Sequence, residues 1–281
     1  MSNLNALKNR IGVVTNTKKI TNAMQLVAAS KLRKAREQAE KVKSYQDILE
    51  LTFHDLITNI SPNDFKSVFP SNDEVENSLY IVITSDLGLC GSYNSNIVHL
   101  IENKIKPNDK LIVLGTKGLG MLLEKFKNNI VDHYTNYGDT VPYKISDKIT
   151  KLALKLYHEK QIRNINLVYT KFVNNILQEA EIKKIFPFDI SNDSRYVSYV
   201  EFEPNPETIL KNSIPLYIAS MIYTLGTASK VSELAARRNA MENATDNAED
   251  LIQALSLEFN RSRQSIITQE INEIVSGADA T

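Results

Sequence analysis

The residue types that could do chemistry in this chain lie mainly in two glycine-rich turns. Residues 85–92 include the neighbouring Ser85 and Asp86, and residues 115–120 include Lys117. A serine beside an aspartate could begin a hydrolase site, but the sequence suggests no third group to complete it. Neither turn is a phosphate-binding motif, because Lys117 replaces the second glycine of G-x-G-x-x-G and the first turn lacks the lysine of a P-loop. We expect these glycines to form tight turns that start helices.

Metal and disulfide chemistry are not indicated by the sequence. Cys90 is the only cysteine, so it can form neither an internal disulfide nor a cysteine metal cluster, which fits a reducing compartment. We expect no metal, no cofactor and no catalytic residues. The histidines lie on separate elements without metal-ligand spacing: His54, His99, His133 and His158.

Positive charge is concentrated near the start of the chain. Residues 1–43 contain ten lysines and arginines but only Glu37 and Glu40, although the whole chain has no net charge. The balanced total disfavours a uniformly basic nucleic-acid-binding protein, and we expect no nucleic-acid partner. Residues 31–36 form either a solvated helix face or a site for phosphate or an acidic protein surface.

Two long helices at the chain ends must position these charges. Residues 1–60 show apolar positions alternating at three and four residues, which is the heptad pattern of a coiled coil. Residues 207–281 form a second helix, roughly 90 Å long over residues 209–275, which one small domain cannot bury. We therefore expect the two helices to pair as an antiparallel coiled coil.

The predicted seams can be specified residue by residue. On the first helix the seam runs through Leu4, Leu7, Ile11, Val14, Lys18, Thr21, Gln25, Ala28, Leu32, Ala35, Ala39, Val42, Gln46, Leu49, Phe53, Leu56 and Ile60. On the second it runs through Leu234, Met241, Ala244, Ala248, Leu251, Leu255, Phe259, Ser262 and Ile266. The terminal stretch is acidic overall, which favours pairing with the basic first helix.

The middle of the chain has the order strand, loop, helix, strand that is typical of a parallel α/β sheet. We predict a linker at residues 61–78 and a Rossmann-like α/β domain at 79–205, with about five strands and helices on at least one face. The predicted strands are 79–84, 110–114, 130–135, 165–172 and 176–187, with a further extended segment at 196–202. The predicted helices are 93–106, one ending at 127, and 144–160.

Further apolar side chains fall outside the seams. Ile20, Met24 and Val27 form a second stripe on the first helix. A similar group lies near the C-terminus: Ile267, Ile271, Ile274 and Val275. We expect both groups to be a bearing surface inside a sleeve of other subunits. No segment has about 18 consecutive apolar residues, and the heptads begin too early for a signal peptide, so we expect membrane association only through partners.

Three separated blocks resemble the γ subunit of F-type ATP synthases. They are residues 19–31, 232–248 and 267–280, and the resemblance extends over essentially the whole chain. The turn at 85–91 is also similar to the family's S-D-R-G-L-C-G turn, departing at Leu87 where arginine is usual.

The resemblance implies a rotor that couples proton flow through the membrane sector to conformational change in the catalytic β subunits. The terminal helices would be the shaft inside a hexamer of α and β subunits, and the α/β domain would contact ε and the ring of c subunits. Nucleotide chemistry would belong to β. The expected location is peripheral, at the cytoplasmic face of the bacterial inner membrane, with the mitochondrial matrix side as the alternative.

The resemblance also implies contact residues. Met24 and the basic residues of segment 31–36 would meet the acidic lever of β, and residues of the C-terminal helix would meet the loops that surround the shaft. The full set is Met24, Lys31, Arg33, Arg36, Arg237, Gln264, Thr268 and Glu270.

The main alternative is a coiled-coil scaffold or tether with an α/β insert, and an α/β enzyme with helical arms is a weaker one. Copurification separates the three: a rotor brings an excess of two nucleotide-binding subunits, a tether need not, and an enzyme acts alone.

Overall fold

The computed structural model describes residues 2–138, 140–188 and 202–279. They belong to two compact units: unit 1 comprises Met1–Ala29 and Arg237–Thr281, and unit 2 comprises Ser30–Ala236. The elements in chain order are α1 Ser2–Asn59, α2 Pro62–Val68, β1 Ser78–Ile83, α3 Tyr93–Glu102, β2 Lys110–Leu114, α4 Thr116–Phe126, β3 Ile130–Tyr134, α5 Tyr143–His158, β4 Asn164–Phe172, β5 Gln178–Phe186 and α6 Pro206–Asp279.

Unit 1 is an antiparallel pair made by the first part of α1 and the last part of α6. Lys18 Nζ lies 3.0 Å from Glu249 Oε1, and the hydroxyls of Thr21 and Thr245 are 2.8 Å apart, so the two chains run in opposite directions. The predicted α1 seam is confirmed here, since each of its positions from Leu4 to Ala28 is buried or half-buried. The polar breaks at Lys18 and Thr21 are thus inter-helix contacts.

The predicted α6 seam is wrong at Leu251, which is 40% exposed. The observed seam passes through Met241, Thr245, Ala248, Ile252, Leu255 and Phe259, alternating four and three residues strictly. The prediction placed Ala244 and Leu251 in the seam, each one residue before the position that the structure buries more deeply, Thr245 and Ile252. Burial of Thr245 is tolerated because its hydroxyl lies 2.8 Å from Thr21 Oγ1 and 2.8 Å from the Met241 carbonyl oxygen.

Unit 2 contains a five-stranded sheet in the order β3-β2-β1-β4-β5. Neighbouring strands are parallel except β4 and β5, which are antiparallel and joined by the short connection 173–177. The five-strand prediction is confirmed, and the departure from a wholly parallel sheet is confined to the edge strand. Of the predicted extended segment 196–202, residues 196–201 lie outside the described part of the chain.

Helices cover both faces of the sheet. Alternate residues of each strand point to opposite faces, so that Ile81 packs in one core with α5 and α6, while Val82 packs in the other with α3 and α4. Burial on both sides explains why the strands read as continuous apolar runs. The first core also takes in Phe53 of α1, whose ring centroid is 4.5 Å from that of Tyr217.

Side-chain caps mark the starts of α2 and α6. The predicted linker at 61–78 contains α2, in which Ser61 is the N-cap, Pro62 begins the helix and Phe65 is buried in the core of unit 2. Asn205 caps α6 in the same way, because its Oδ1 accepts a 2.8 Å hydrogen bond from the Thr208 N–H.

The boundaries of the two compact units do not coincide with the predicted division into residues 1–60, 61–78, 79–205 and 207–281. That division stays a prediction.

No helix among the described residues has the length and apolarity that a membrane span requires.

The observed seam yields a paired test within unit 1. Leu255→Ala removes a side chain that is 4% exposed and should destabilise the helix pair by about 2 to 3 kcal/mol, as core leucine truncations do. Leu257→Ala, at a position that is 61% exposed, should change stability by less than about 0.5 kcal/mol. Thermal unfolding of the isolated chain, followed by helical circular dichroism, measures both. Equal effects would show that the seam is misassigned.

Candidate functional site

The carboxyl ends of the parallel strands meet at one edge of the sheet, where α/β proteins commonly bind ligands. Asp86, just after β1, ties together the loops at this edge. Its Oδ1 accepts hydrogen bonds from the Thr116 N–H at 3.0 Å, the Thr116 hydroxyl at 2.8 Å and the Asn136 N–H at 3.0 Å. The carboxylate therefore joins the segments that follow β1, β2 and β3.

Ser85 is equally committed to internal bonds. Its side chain is buried, its hydroxyl donates to the Leu87 carbonyl at 2.7 Å, and its N–H donates to Asn94 Oδ1 at 3.0 Å. Asn94 Nδ2 donates back to Ser85 Oγ at 2.7 Å. Ser85 and Asp86 thus stabilise the turn, and neither is placed to serve as a nucleophile.

The structure confirms the structural interpretation of the glycines. Gly115 has φ +102°, and a Cβ there would lie 2.4 Å from the Thr84 carbonyl oxygen; a Cβ on Gly118 would lie 2.3 Å from Thr84 Oγ1. The Gly118 N–H instead donates to that oxygen at 3.2 Å. Only glycine permits α4 to begin this close to the end of β1.

The strand order places a topological switch point between β1 and β4, and α6 fills it. Ser229 and Ser232 both hydrogen-bond to the main chain of Thr170 on β4. At Gly226 a Cβ would lie 2.9 Å from Val141 Cγ2, so the absent side chain allows close approach. The space that remains beside Thr84 and Tyr93 is about 10 Å³. That volume is on the scale of a single water, far below that of a nucleotide.

Two tyrosines at this edge are held neutral. Burial and then the charge of Glu233 raise the pKa of Tyr93 well above its usual value, and Tyr93 Oη lies 2.8 Å from Ser229 Oγ. Burial, followed by the charges of Asp86 and Glu233, raises the pKa of Tyr137. Both hydroxyls therefore act as hydrogen-bonding groups of the packed structure rather than as acids.

Helix α1 is attached to the β4–β5 hairpin through Arg36. The guanidinium lies 4.8 Å from the centroid of the Phe172 ring, and Nη2 donates to Asn175 Oδ1. These residues line a groove of about 650 Å³ between α1, the hairpin and α6. A second link joins Glu50 Oε1 to Lys183 Nζ on β5, at 2.8 Å. Burial alone would raise the pKa of Glu50, but the hydrogen bonds from Lys183 and Gln46 outweigh it and the pKa is lowered.

The predicted contact residues fall into three groups by exposure. Lys31, Arg33, Gln264, Thr268 and Glu270 are exposed. Met24 and Arg36 are half-buried, and Arg36 is engaged as described. Arg237 is only 9% exposed and already has an interaction within the chain, which does not suit a contact with another subunit.

The predicted bearing residues are accessible in unit 1. Ile20 is 60% exposed, Val27 is 58% exposed and Met24 is half-buried. On α6, Ile271 is 54% exposed and Ile274 is 72% exposed. Ile20, Val27, Ile271 and Ile274 lie outside the observed seam and are largely exposed in the isolated chain, whereas Met24 is partly covered.

Metal and histidine chemistry have no assembled site in the described residues. All four histidines are exposed, and no group of three or more His, Cys, Asp and Glu side chains is placed to hold a metal ion within residues 2–138, 140–188 and 202–279.

Sequence reasoning missed the serine contacts of α6 with β4. The available signal was Gly226, which interrupts a long helix and is followed three and six residues later by Ser229 and Ser232. That spacing puts three small residues on one face.

Comparison with known proteins decides the family. A family model described as ATP synthase matches residues 3–281. The chain is 48% identical to the ATP synthase gamma chain of Mycoplasmopsis synoviae, with all of both chains covered. It is 40% identical to that of Mycoplasmopsis agalactiae, again over all of both chains. This chain belongs to the ATP synthase gamma chain family.

Two solved structures are similar to this chain. The central stalk and c-ring structure of the Tetrahymena thermophila mitochondrial ATP synthase contains a chain that is 28% identical, with TM-score 0.63, covering 80% of this chain and 99% of that one. A rotor chain of the Euglena gracilis mitochondrial ATP synthase has TM-score 0.73 at 16% identity, covering 95% and 99%, and shows that the fold is shared.

The turn between β2 and α4 can be tested with matched glycines. Gly115→Ala should destabilise the chain by at least about 1 to 3 kcal/mol, because its backbone is left-handed and the new methyl would meet the Thr84 carbonyl. Gly120→Ala, in α4 with nothing within 4 Å of the new Cβ, should be neutral or stabilising by up to about 1 kcal/mol. Urea unfolding of the two variants gives the comparison. A tolerated Gly115→Ala would refute the structural role of this turn.

Proposed function

We propose that this chain is the central rotor subunit of a proton-translocating ATP synthase. It couples proton flow through the membrane sector to conformational change in the catalytic subunits and performs no nucleotide chemistry of its own. The observation that carries the proposal is the full-length match to ATP synthase gamma chains together with a paired-helix unit whose outer side exposes apolar residues.

The proposed partners are a hexamer of α and β subunits, the ε subunit and the ring of c subunits. The Tetrahymena likeness, to a chain from a central stalk with a c-ring, supports this set. As a member of this family the chain is peripheral to the membrane. We propose that it lies at the cytoplasmic face of the bacterial membrane that carries the complex.

The proposed mechanism follows from an uneven surface on a stiff helix pair. Unit 1 exposes apolar residues such as Ile20 and Val27 and charged ones such as Lys19, so a surrounding ring of subunits would meet a different face at each rotational position. A face that binds one conformation of β more tightly shifts β toward that conformation. Each proton that crosses the membrane supplies about 2.3 kcal/mol per 100 mV, and the rotor must transmit the sum of several such steps.

Exposure supports contact roles for most of the residues implied by family resemblance. We propose that Lys31 and Arg33 meet an acidic surface of β and that Met24 packs beside them. Gln264, Thr268 and Glu270 are proposed to contact loops of the surrounding α and β subunits. Burial of Arg237 favours an internal role for that residue.

The assembly test is purification of the tagged full-length chain from membranes. A rotor brings an excess of two nucleotide-binding subunits over itself, and removal of the chain abolishes ATP-driven proton pumping. Recovery of the chain alone would contradict the proposal and favour an enzyme, and recovery with partners that bind no nucleotide would contradict it and favour a tether.

The bearing surface can be tested by placing charge on it. Ile271→Asp with Ile274→Asp should leave the thermal stability of the free chain nearly unchanged, since both positions are exposed. In the complex, the ratio of proton pumping to ATP hydrolysis should fall, because carboxylates would have to be desolvated against an apolar sleeve. Ile176→Asp, at an 88% exposed isoleucine in the β4–β5 connection, is the matched control. Unchanged coupling in the double variant would argue against a bearing at this surface.

A further inference from the structure

Helix α6 is held on the sheet by a joint made of two buried serines. Ser229 and Ser232 are both 0% exposed, and they bond to the two main-chain groups of one residue. The Thr170 N–H donates to Ser229 Oγ at 3.0 Å, and Ser232 Oγ donates to the Thr170 carbonyl at 2.9 Å. Tyr93 Oη completes the joint, 2.8 Å from Ser229 Oγ.

The joint occupies a place that a strand would otherwise fill. The last described pair between β1 and β4 is Val82 with Val168, and β1 ends at Ile83. Thr170 lies two residues beyond that pair, so its N–H and C=O have no β1 residue to bond. A buried main-chain donor and acceptor need partners, and the helix supplies them through side chains. Ser229 and Ser232 of α6 thus supply Thr170 with the two hydrogen bonds that a longer β1 would have made.

Directional bonds give this contact a property that apolar packing lacks. Hydrophobic contact resists separation but is non-directional, so a smooth helix could turn against a sheet with little change in buried area. Hydrogen bonds weaken steeply once the donor, hydrogen and acceptor are misaligned. Two bonds from one helix face to one residue therefore fix the rotational position of α6 on β4. The close approach at Gly226 adds a steric stop against Val141.

We infer that Ser229 and Ser232 are positioning residues that lock α6 against twisting on the sheet, so that torque passes between the helix and the α/β domain through Thr170. This inference rests on the proposed rotor function. It assigns to the interior of unit 2 a mechanical role that is separate from the partner-contacting surfaces.

The test variant is Ser229→Ala with Ser232→Ala in the assembled complex. The hexamer is fixed to a surface, and a bead is attached through His133→Cys on β3, an exposed position in the α/β domain. Loss of the joint should increase the angular variance of the bead in the stalled complex and lower the ratio of ATP-driven proton pumping to hydrolysis. Hydrolysis per assembled complex should be retained.

The matched control is Thr227→Val. Thr227 is 1% exposed and lies on the same helix, but its hydroxyl donates to the Tyr223 carbonyl of α6 itself at 2.9 Å. Its loss removes a buried hydroxyl without touching the joint, so bead variance and coupling should match those of the unmodified complex. Where the double variant fails to assemble, Ser232→Ala alone keeps both Ser229 bonds and should give a smaller increase in variance.

The outcomes separate the joint from the rotor. Should the unmodified complex pump protons while the serine variants show unchanged bead variance, or lose pumping and hydrolysis in parallel, the joint inference is overturned and the rotor function stands. Should the unmodified chain fail to copurify with nucleotide-binding subunits, the rotor function itself fails.

Discussion

The packing of α6 into the crevice between β1 and β4 determines what the α/β domain can do. In an open sheet of this strand order, that crevice is the usual entrance for a ligand. Here Gly226 brings the helix against Val141, the serines bond to Thr170, and about 10 Å³ of space is left. The same contacts that remove the ligand site anchor a long helix. In this chain, a fold that binds nucleotides in other proteins therefore anchors α6 instead.

The polar residues in the loops at the carboxyl edge of the sheet are also committed to bonds within the chain. Asp86 and Ser85 have the chemistry of catalytic groups, yet each is engaged by turn backbone or by Asn94. Gly115 and Gly118 let α4 begin against Thr84, which brings Thr116 within reach of Asp86. Polar residues that could have formed a site instead satisfy the main chain of three adjoining loops. These hydrogen bonds hold the three loops together at this edge.

Periodicity predicted most of this fold because its elements are long or strongly apolar. A three-four alternation sustained over eight heptads is typical of a long paired helix, and short apolar runs such as β2 indicate the buried strands of a sheet. The seam error arises because a tertiary partner changes what a residue can do: Thr245 is buried because Thr21 faces it. The missed helix at Pro62 has a local cause, because Ser61 caps it. The contact of Ser229 with Thr170 links residues 59 positions apart, which no local pattern encodes.

Hydrogen bonds suit parts of the chain that must stay fixed to one another, and apolar contacts suit surfaces that move. Directional bonds between surfaces that move past one another have to break and re-form at each step. Apolar side chains such as Ile20, Val27 and Ile274 impose no such geometry, and in unit 1 they are exposed on the helix pair. Parts that must not slip need the opposite chemistry. In unit 2 both long helices are tied to the sheet or its hairpin by hydrogen bonds, through Ser229 and Ser232 on α6 and through Arg36 and Glu50 on α1. Hydrogen bonds within unit 2 hold the parts of the chain together, and exposed apolar side chains in unit 1 suit a surface that turns against neighbouring subunits.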